Sequence, residues 1–429
     1  MIDRIKLSNY KSFFADQVKE AINEQQKINK SQMYNLFRTG ELSIAYVDSI
    51  QHETGMVILK CPRHMAPRLK VQKSIVIIAK GAKAALGDHI TEWSCRWEEF
   101  CANPTYHSPG SDMIPMYYMN SDNSSYDYVA CSGISLKLYD IFSKTVAAGK
   151  SLTVIIHNPF PPVDYFRNLA SYMDMFSSND ELNVEPTIDY ESWFPEELAF
   201  DEQAPTKISD TIIQTLTDEH SCIVQGPPGT GKSYTIATII SQYLDWGKTV
   251  CVTTMANKGL IELIKQKPLQ KYIKEGRVSK TSLSVDERKL VNGVKNATSD
   301  LQVPNGELLC ATNYQLSSVY SEKKMALYGL PKYDLVVIEE ASQAFLTAIV
   351  AFKQLGVDCL IVGDPMQLPP IVKLNNPQYN SWNVATQVEG LKSMALGTSI
   401  KSYRIVTTFR LTSRSASLTK CFYGNRFVS

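Results

Sequence analysis

Eight consecutive residues carry the clearest chemistry in the chain: Gly226-Pro227-Pro228-Gly229-Thr230-Gly231-Lys232-Ser233. They fit the spacing G-x-x-x-x-G-K-[ST], closely follow the apolar run Cys222-Ile223-Val224, and open a stretch of helical character from Lys232 to Leu244. Glycines allow backbone N–H groups to close around phosphates, and the N-terminus of a helix adds a favourable dipole. Lys232 would reach the β and γ phosphates and the Ser233 hydroxyl would ligate magnesium. The pattern implies a site for a nucleoside triphosphate, ATP with Mg2+, built from Gly226 to Ser233 and bordered by Tyr234.

Two further groups could complete such a site. In Asp334-Leu335-Val336-Val337-Ile338-Glu339-Glu340, two carboxylates end an apolar strand-like run. One acid in that position can hold the metal and its neighbour can orient and deprotonate an attacking water, which assigns Glu339 to the metal and Glu340 to the water. The segment Gly363-Asp364-Pro365-Met366-Gln367-Leu368-Pro369-Pro370 follows another apolar run, Cys359 to Val362. Its Asp and Gln would face the crevice at the carboxyl end of the sheet, where Asp364 and Gln367 could sense the γ phosphate.

These groups need a scaffold that brings strand ends together. From about residue 205 the sequence alternates short apolar strands with helices: strands at Cys222–Val224, Thr249–Thr253, Leu308–Ala311, Leu335–Ile338 and Cys359–Val362, with helices from Lys232 and from Gly259. That grammar predicts an α/β fold, a parallel-sheet P-loop NTPase of RecA-like type, over residues 205–429. Residues 1–40 read as a helical N-terminal segment. Residues 41–170 read as a mostly β, barrel-like accessory domain, with strands that include Leu42–Val47, Met56–Leu59, Ser74–Ile78, Tyr128–Ala130, Ile134–Leu138 and Leu152–Ile156. Residues 171–204 form an acidic linker: the stretch from 174 to 206 holds no Lys or Arg, and could at most mask a basic groove.

The trio GPPGTGKS, VVIEEASQA and VGDPMQLPP resembles the superfamily 1 helicases, in particular the group containing the RNA-surveillance helicase and the lagging-strand nuclease-helicase. The resemblance covers about half the chain. It implies ATP hydrolysis coupled to 5′-to-3′ movement along single-stranded DNA or RNA, and places residues 41–170 as the barrel preceding the first motor domain. Val250 to Asn257 is similar to the segment that grips the nucleic-acid backbone, implying contacts from Thr254 and Asn257. Leu309-Cys310-Ala311-Thr312 is similar to the later contact made by a threonine, here Thr312. Thr408-Phe409-Arg410 resembles a motif in which the aromatic residue stacks on adenine and the arginine, Arg410, reaches the γ phosphate. The sequence departs from the pattern at Glu339, where the family carries Asp, at Met255-Ala256, where Pro-Ser is common, and upstream of the phosphate loop, where an adenine-reading Gln is not evident.

A second RecA-like domain, in cis or in trans, is a partner the resemblance implies. No such domain follows Arg410 before Ser429, so the expectation is a chain that binds ATP and hydrolyses it poorly. The competing reading is a non-catalytic nucleic-acid-binding or regulatory relic of an NTPase.

Composition narrows the function classes. The formal charge is +1, from 44 basic and 43 acidic side chains, so any nucleic-acid surface must be a local patch. One candidate is a basic insertion at 265–295, which carries Lys265, Lys267, Lys271, Lys274, Arg277, Lys280, Arg288, Lys289 and Lys295 against three acids. It is equally consistent with a solvated helical face. No apolar run reaches the roughly 20 residues of a bilayer span, no signal peptide is visible, and the nine cysteines show no paired spacing. A cytoplasmic protein is the expectation. A zinc site from Cys61, His64, Cys95, Cys101 and His107 lacks ligand spacing, and core packing is the preferred role for these cysteines.

Overall fold

A computed structural model describes residues 4–29, 42–62, 73–78, 112–121, 125–132, 136–149, 153–157, 161–184, 195–283, 285–373, 384–424 and 426–429. The chain forms two compact units, Ala21–Pro162 and a second one made of Met1–Glu20 with Val163–Ser429.

The first unit is a closed antiparallel barrel. Its strands are β1 (Leu42–Gln51), β2 (Met56–Pro62), β3 (Lys73–Ile78), β4 (Asp112–Ser121), β5 (Tyr126–Cys131) and β6 (Thr153–His157), in the order β1-β2-β5-β4-β3-β6. Alternation fills its interior: Val57, Leu59 and Cys61 of β2 meet Val129 and Cys131 of β5 and Val154 and Ile156 of β6. Of the run Ile134–Leu138, read above as a strand, the described residues 136–138 open a helix that extends from Leu136 to Ala147 and places Phe142 on the barrel core. Its apolar residues fit both periods over so short a window, and only the amphipathic continuation to Val146 separates them. The strand Asp112–Ser121 has no counterpart in the sequence reading. His64, Cys95, Cys101 and His107 lie outside the described residues, and Cys61 is buried in the barrel.

The second unit holds a nine-stranded, all-parallel sheet: β7 (Glu196–Leu198), β8 (Ser221–Gln225), β9 (Val250–Thr254), β10 (Val278–Lys280), β11 (Lys295–Asn296), β12 (Leu308–Thr312), β13 (Tyr333–Ile338), β14 (Gly356–Gly363) and β15 (Ser402–Ile405), ordered β11-β10-β12-β9-β13-β14-β8-β15-β7. Continuous apolar strands suit a sheet covered on both faces, and strict alternation divides them between two cores. Val250, Val252, Leu335, Val337, Leu360 and Val362 point to one side, where Ile236, Ile240 and Leu244 pack. Cys251, Val336, Ile338, Cys359 and Ile361 point to the other, against Phe345, Ile349 and Phe352. Truncating one of the larger strand residues to alanine would cost about 2–4 kcal/mol.

Two boundaries differ from the sequence reading. Helix α1 (Arg4–Asn29) is not a separate segment: Tyr10, Phe13 and Phe14 enter the core of the parallel-sheet unit. The stretch 171–204 is not a free linker. Helix α2 (Asp164–Met175) buries Tyr172 and Met173, Leu182 and Val184 join the same core, and Glu196–Leu198 forms the sheet's edge strand. Two of its acids form ion pairs, Glu181 with Lys353 at 2.9 Å and Glu196 with Lys401 at 2.7 Å. No helix among the described residues is long and apolar enough to cross a membrane.

Candidate nucleotide site

Strands β13, β14 and β8 are adjacent, and each delivers one of the three chemical segments at its carboxyl end. Their registers align those ends, with Ile338 opposite Ile361 and Gly363 opposite Gln225. This is the crevice in which ligands of parallel sheets sit. It opens as a cleft of about 700 Å³ lined by the phosphate loop, Glu339, Glu340, Asp364, Gln367 and Arg410. That size lies within the range of nucleotide-sized sites.

Within the loop, Gly229 and Gly231 take φ values of +79° and +76°, conformations that side chains disfavour. Gly231 then caps helix α3 (Lys232–Asp245). Gly226 is required for a different reason. A Cβ there would fall 2.2 Å from Cγ and Cδ of Lys232, whose ammonium donates to the Gly226 carbonyl. Burial pushes the Lys232 ammonium below its ordinary pKa, while Asp364, Glu339 and Glu340 pull it back up.

Glu339 is 5% exposed, and its Oε1 accepts from the Ser233 hydroxyl at 3.2 Å. Its Oε2 is buried with no hydrogen-bond partner among the described residues. Burial, then repulsion from Glu340, raises the Glu339 carboxyl to about 7. A buried carboxylate oxygen lacking a donor, next to a serine hydroxyl, fits a hard divalent cation taking oxygen ligands. Glu340 stands in the left-handed region at φ 52°, which turns its half-buried carboxyl away from the strand direction; burial raises its pKa and Lys232 opposes the rise.

Asp364, expected from the sequence to sense the γ phosphate together with Gln367, is a hydrogen-bonding hub. It is 1% exposed and its carboxylate accepts from the Gln225 amide at 3.3 Å, the Gln367 amide at 3.1 Å, the Tyr423 hydroxyl at 2.9 Å and the Met366 N–H at 3.1 Å. Gln225, which precedes the phosphate loop, in turn accepts from Arg404 at 2.6 Å. The only sequence signal for Gln225 is its place next to Gly226; Arg404 and Tyr423 carry none.

Phe409 and Arg410 are tied to the phosphate loop through the backbone. The Phe409 N–H donates to Gly229 O at 2.8 Å, and the Thr408 hydroxyl donates to Pro228 O at 3.1 Å. Phe409 remains 61% exposed and meets Phe200 edge-to-face at 5.1 Å. Tyr234 is exposed on the first turn of α3 and also lines the cleft.

The residues assigned to nucleic acid lie on the same carboxyl edge, with Thr312 of β12 opposite Thr254 of β9. Both hydroxyls serve the local backbone. Thr254 is buried and donates to Ala256 O at 2.7 Å; Thr312 caps the following turn by accepting the Gln315 N–H. Asn257 is exposed, and its Oδ1 accepts from Lys280 at 2.9 Å. Lys280 itself is fully buried and pairs with Glu287 at 3.6 Å, while Lys271 pairs with Asp245 and Arg277 with Glu275. The segment 265–295 is therefore neither a plain helical face nor a uniformly free basic patch. It contributes two sheet strands, and Lys265 lines the nucleotide cleft.

Comparison with known proteins agrees with this geometry. A family described as "AAA domain" matches residues 209–373. The DNA replication ATP-dependent helicase/nuclease dna2 of Schizosaccharomyces pombe is 30% identical over 226 residues, covering 49% of this chain and 15% of that protein. Its namesake in Saccharomyces cerevisiae is 26% identical over 204 residues, covering 45% and 12%. The chain thus matches a small part of the length of these relatives. The solved complex of arterivirus nonstructural protein 10 (helicase) with DNA has a TM-score of 0.31 at 13% identity, covering 49% of this chain and 42% of that one, a likeness too loose to carry an argument. With the phosphate loop, the paired glutamates and the Asp364–Gln367 segment converging on one cleft, the parallel-sheet unit has a RecA-like P-loop fold and is similar in sequence to these ATP-dependent helicase/nucleases.

Proposed function

We propose that the chain is an ATP-driven nucleic-acid motor unit that couples ATP hydrolysis to 5′-to-3′ movement on single-stranded DNA or RNA. The observation that carries this reading is the convergence of Lys232, Glu340 and Gln367 from three adjacent strand ends on one cleft.

The backbone N–H groups of the phosphate loop bind the phosphates, and Lys232 neutralises the outer two. Ser233 and Glu339 would hold Mg2+, which when bound offsets charge on the β and γ phosphates. Glu340 orients a water in line with the γ phosphorus and takes its proton, a role helped by a carboxyl that burial makes more basic. Gln367, braced on Asp364, contacts the γ phosphate and changes position when it leaves. Arg410 supplies positive charge to the transition state once a second RecA-like domain, in cis or in trans, closes on the exposed side that bears Phe409. Phe409 stacks on the adenine, and Asn257 donates its amide to a backbone phosphate of the strand.

A binding titration of the full chain with a fluorescent ATP analogue tests the reading, with and without oligo-dT or oligo-rU. The expected result is saturable, magnesium-dependent binding that tightens with one of the oligonucleotides, since coupling between two ligands is reciprocal. No binding of nucleotide, or binding indifferent to every single strand, would sink it.

A further inference from the structure

The ring of Phe345, just beyond Glu340 and Gln343, is 1% exposed and surrounded by four aromatic rings from elements remote in sequence. Phe13 and Phe14 of α1 meet it edge-on at 5.7 and 5.5 Å. Tyr165 and Phe166 of α2 approach to 6.2 and 6.1 Å. Such pairs hold ring position as well as burying area. One turn further along α1, Gln17 is fully buried, and its Oε1 accepts the backbone N–H of Lys373 at 2.7 Å. Lys373 lies on the stretch that continues from Gln367 past Pro369 and Pro370.

Helix α1 therefore touches the segments on both sides of the cleft chemistry, one after Glu340 and one after Gln367. Packing alone does not require an amide there, because an apolar side chain of similar length would bury at lower cost. A buried amide oxygen that accepts a backbone N–H instead holds that backbone in register. The prolines between Gln367 and Lys373 stiffen the connection, so a constraint at its far end is felt at the near end.

We propose that Gln17 is a positioning residue. It anchors the far end of the segment bearing Gln367, so that α1, seated on Phe345, sets where Gln367 and Glu340 stand relative to the outer phosphate. The proposal rests on the nucleotide reading above for its consequence, though not for its geometry. α1 runs on through Asn29 into the barrel unit, and α2 follows directly after that unit.

The test uses the full chain with Gln17→Leu, which keeps volume and removes the acceptor, and Gln17→Glu, which keeps an acceptor oxygen. Hydrogen exchange of peptides covering 364–373 is followed without nucleotide, and ATP turnover is followed with a single-stranded oligonucleotide. In Gln17→Leu, exchange over 364–373 should rise about tenfold, with β13 and β14 unchanged. Turnover should show kcat down about threefold to thirtyfold, the range of indirect couplings, with KM for ATP within about twofold. Gln17→Glu should restore both. Unchanged exchange over 364–373, a rise spread over the whole sheet, or a KM defect at constant kcat would overturn the proposal. The exchange measurement needs no nucleotide, so a wild-type chain that fails to bind ATP would sink the nucleotide reading and leave the brace to be judged on exchange alone.

Discussion

Ser233 and Glu339 are 106 positions apart in sequence, yet the serine hydroxyl donates to the glutamate Oε1 at 3.2 Å. The contact joins the first turn of the helix after β8 to the end of β13, with β14 lying between those strands. A glutamate, one methylene longer than an aspartate, spans that gap while its second oxygen stays buried with no hydrogen-bond partner among the described residues. The geometry accommodates Glu339 where the resemblance implies an Asp.

Lys232→Ala should weaken ATP-analogue binding about tenfold to a hundredfold, the worth of a charge-assisted contact to phosphate. Fluorescence titration at fixed Mg2+ checks it. An affinity within twofold of wild type would remove Lys232 from the phosphate site.

Gly226→Ala should reproduce most of that loss without touching the ammonium. The added Cβ would overlap the Lys232 side chain at 2.2 Å and drive it from its path. The same titration, with circular dichroism to confirm that the fold persists, reads the effect.

Glu340→Gln should retain nucleotide affinity within about threefold and lower turnover by about 10²–10⁴, the usual contribution of a general base. Phosphate release under oligonucleotide-stimulated conditions measures it. Equal, negligible turnover in wild type and variant would favour the non-catalytic relic instead.

Lys280→Met should lower stability by about 3 kcal/mol, because Lys280 is buried and paired with Glu287. It should leave the salt dependence of single-strand binding unchanged. A lysine that contacts phosphate would reduce the slope of log K against log salt by about 0.7. Urea melts and binding at several salt concentrations separate the two roles.

Asp334→Asn should destabilise the fold at pH 7 by about 1–2 kcal/mol. Burial would raise this carboxyl, but the Thr249 N–H and hydroxyl and the Lys248 ammonium outweigh burial and hold it below the usual carboxylate range. A depressed folded-state pKa contributes stability that is present above the unfolded value near 4 and is lost as pH falls through the folded value. The difference between wild type and the Asp334→Asn variant should therefore shrink when urea melts are repeated below pH 4.

Much of the motor unit was legible in the sequence because its signals are local. The run Cys222–Val224, the spacing of Gly226 to Ser233 and the apolar stretch before Glu339 each state a strand, a turn or a helix start within a few residues. Ile134–Leu138 was misread because five residues cannot distinguish a period of 2 from one of 3.6. The acidic stretch from Asp180 to Glu202 was read as a linker because its few apolar anchors, Leu182, Val184 and Leu198, are outnumbered by charge. Charge counts also misled at Lys280, which is buried and bound to Glu287 and Asn257.

The sequence by itself determined the phosphate loop, since its chemistry requires Gly, Lys and Ser at fixed spacing along one continuous backbone. It also determined the order of Glu339-Glu340 and Asp364 to Gln367 behind their strands. Only the tertiary structure decided which of these ends are neighbours, because strand order in a parallel sheet is set by crossovers that no local pattern records. That ordering places β14 between β13 and β8, lets Asp364 gather Gln225, Gln367 and Tyr423, and seats Gln17 of the N-terminal helix on Lys373. Partners separated by up to 356 positions have no signature in spacing; they exist as a site because two packed cores hold the strand ends in register.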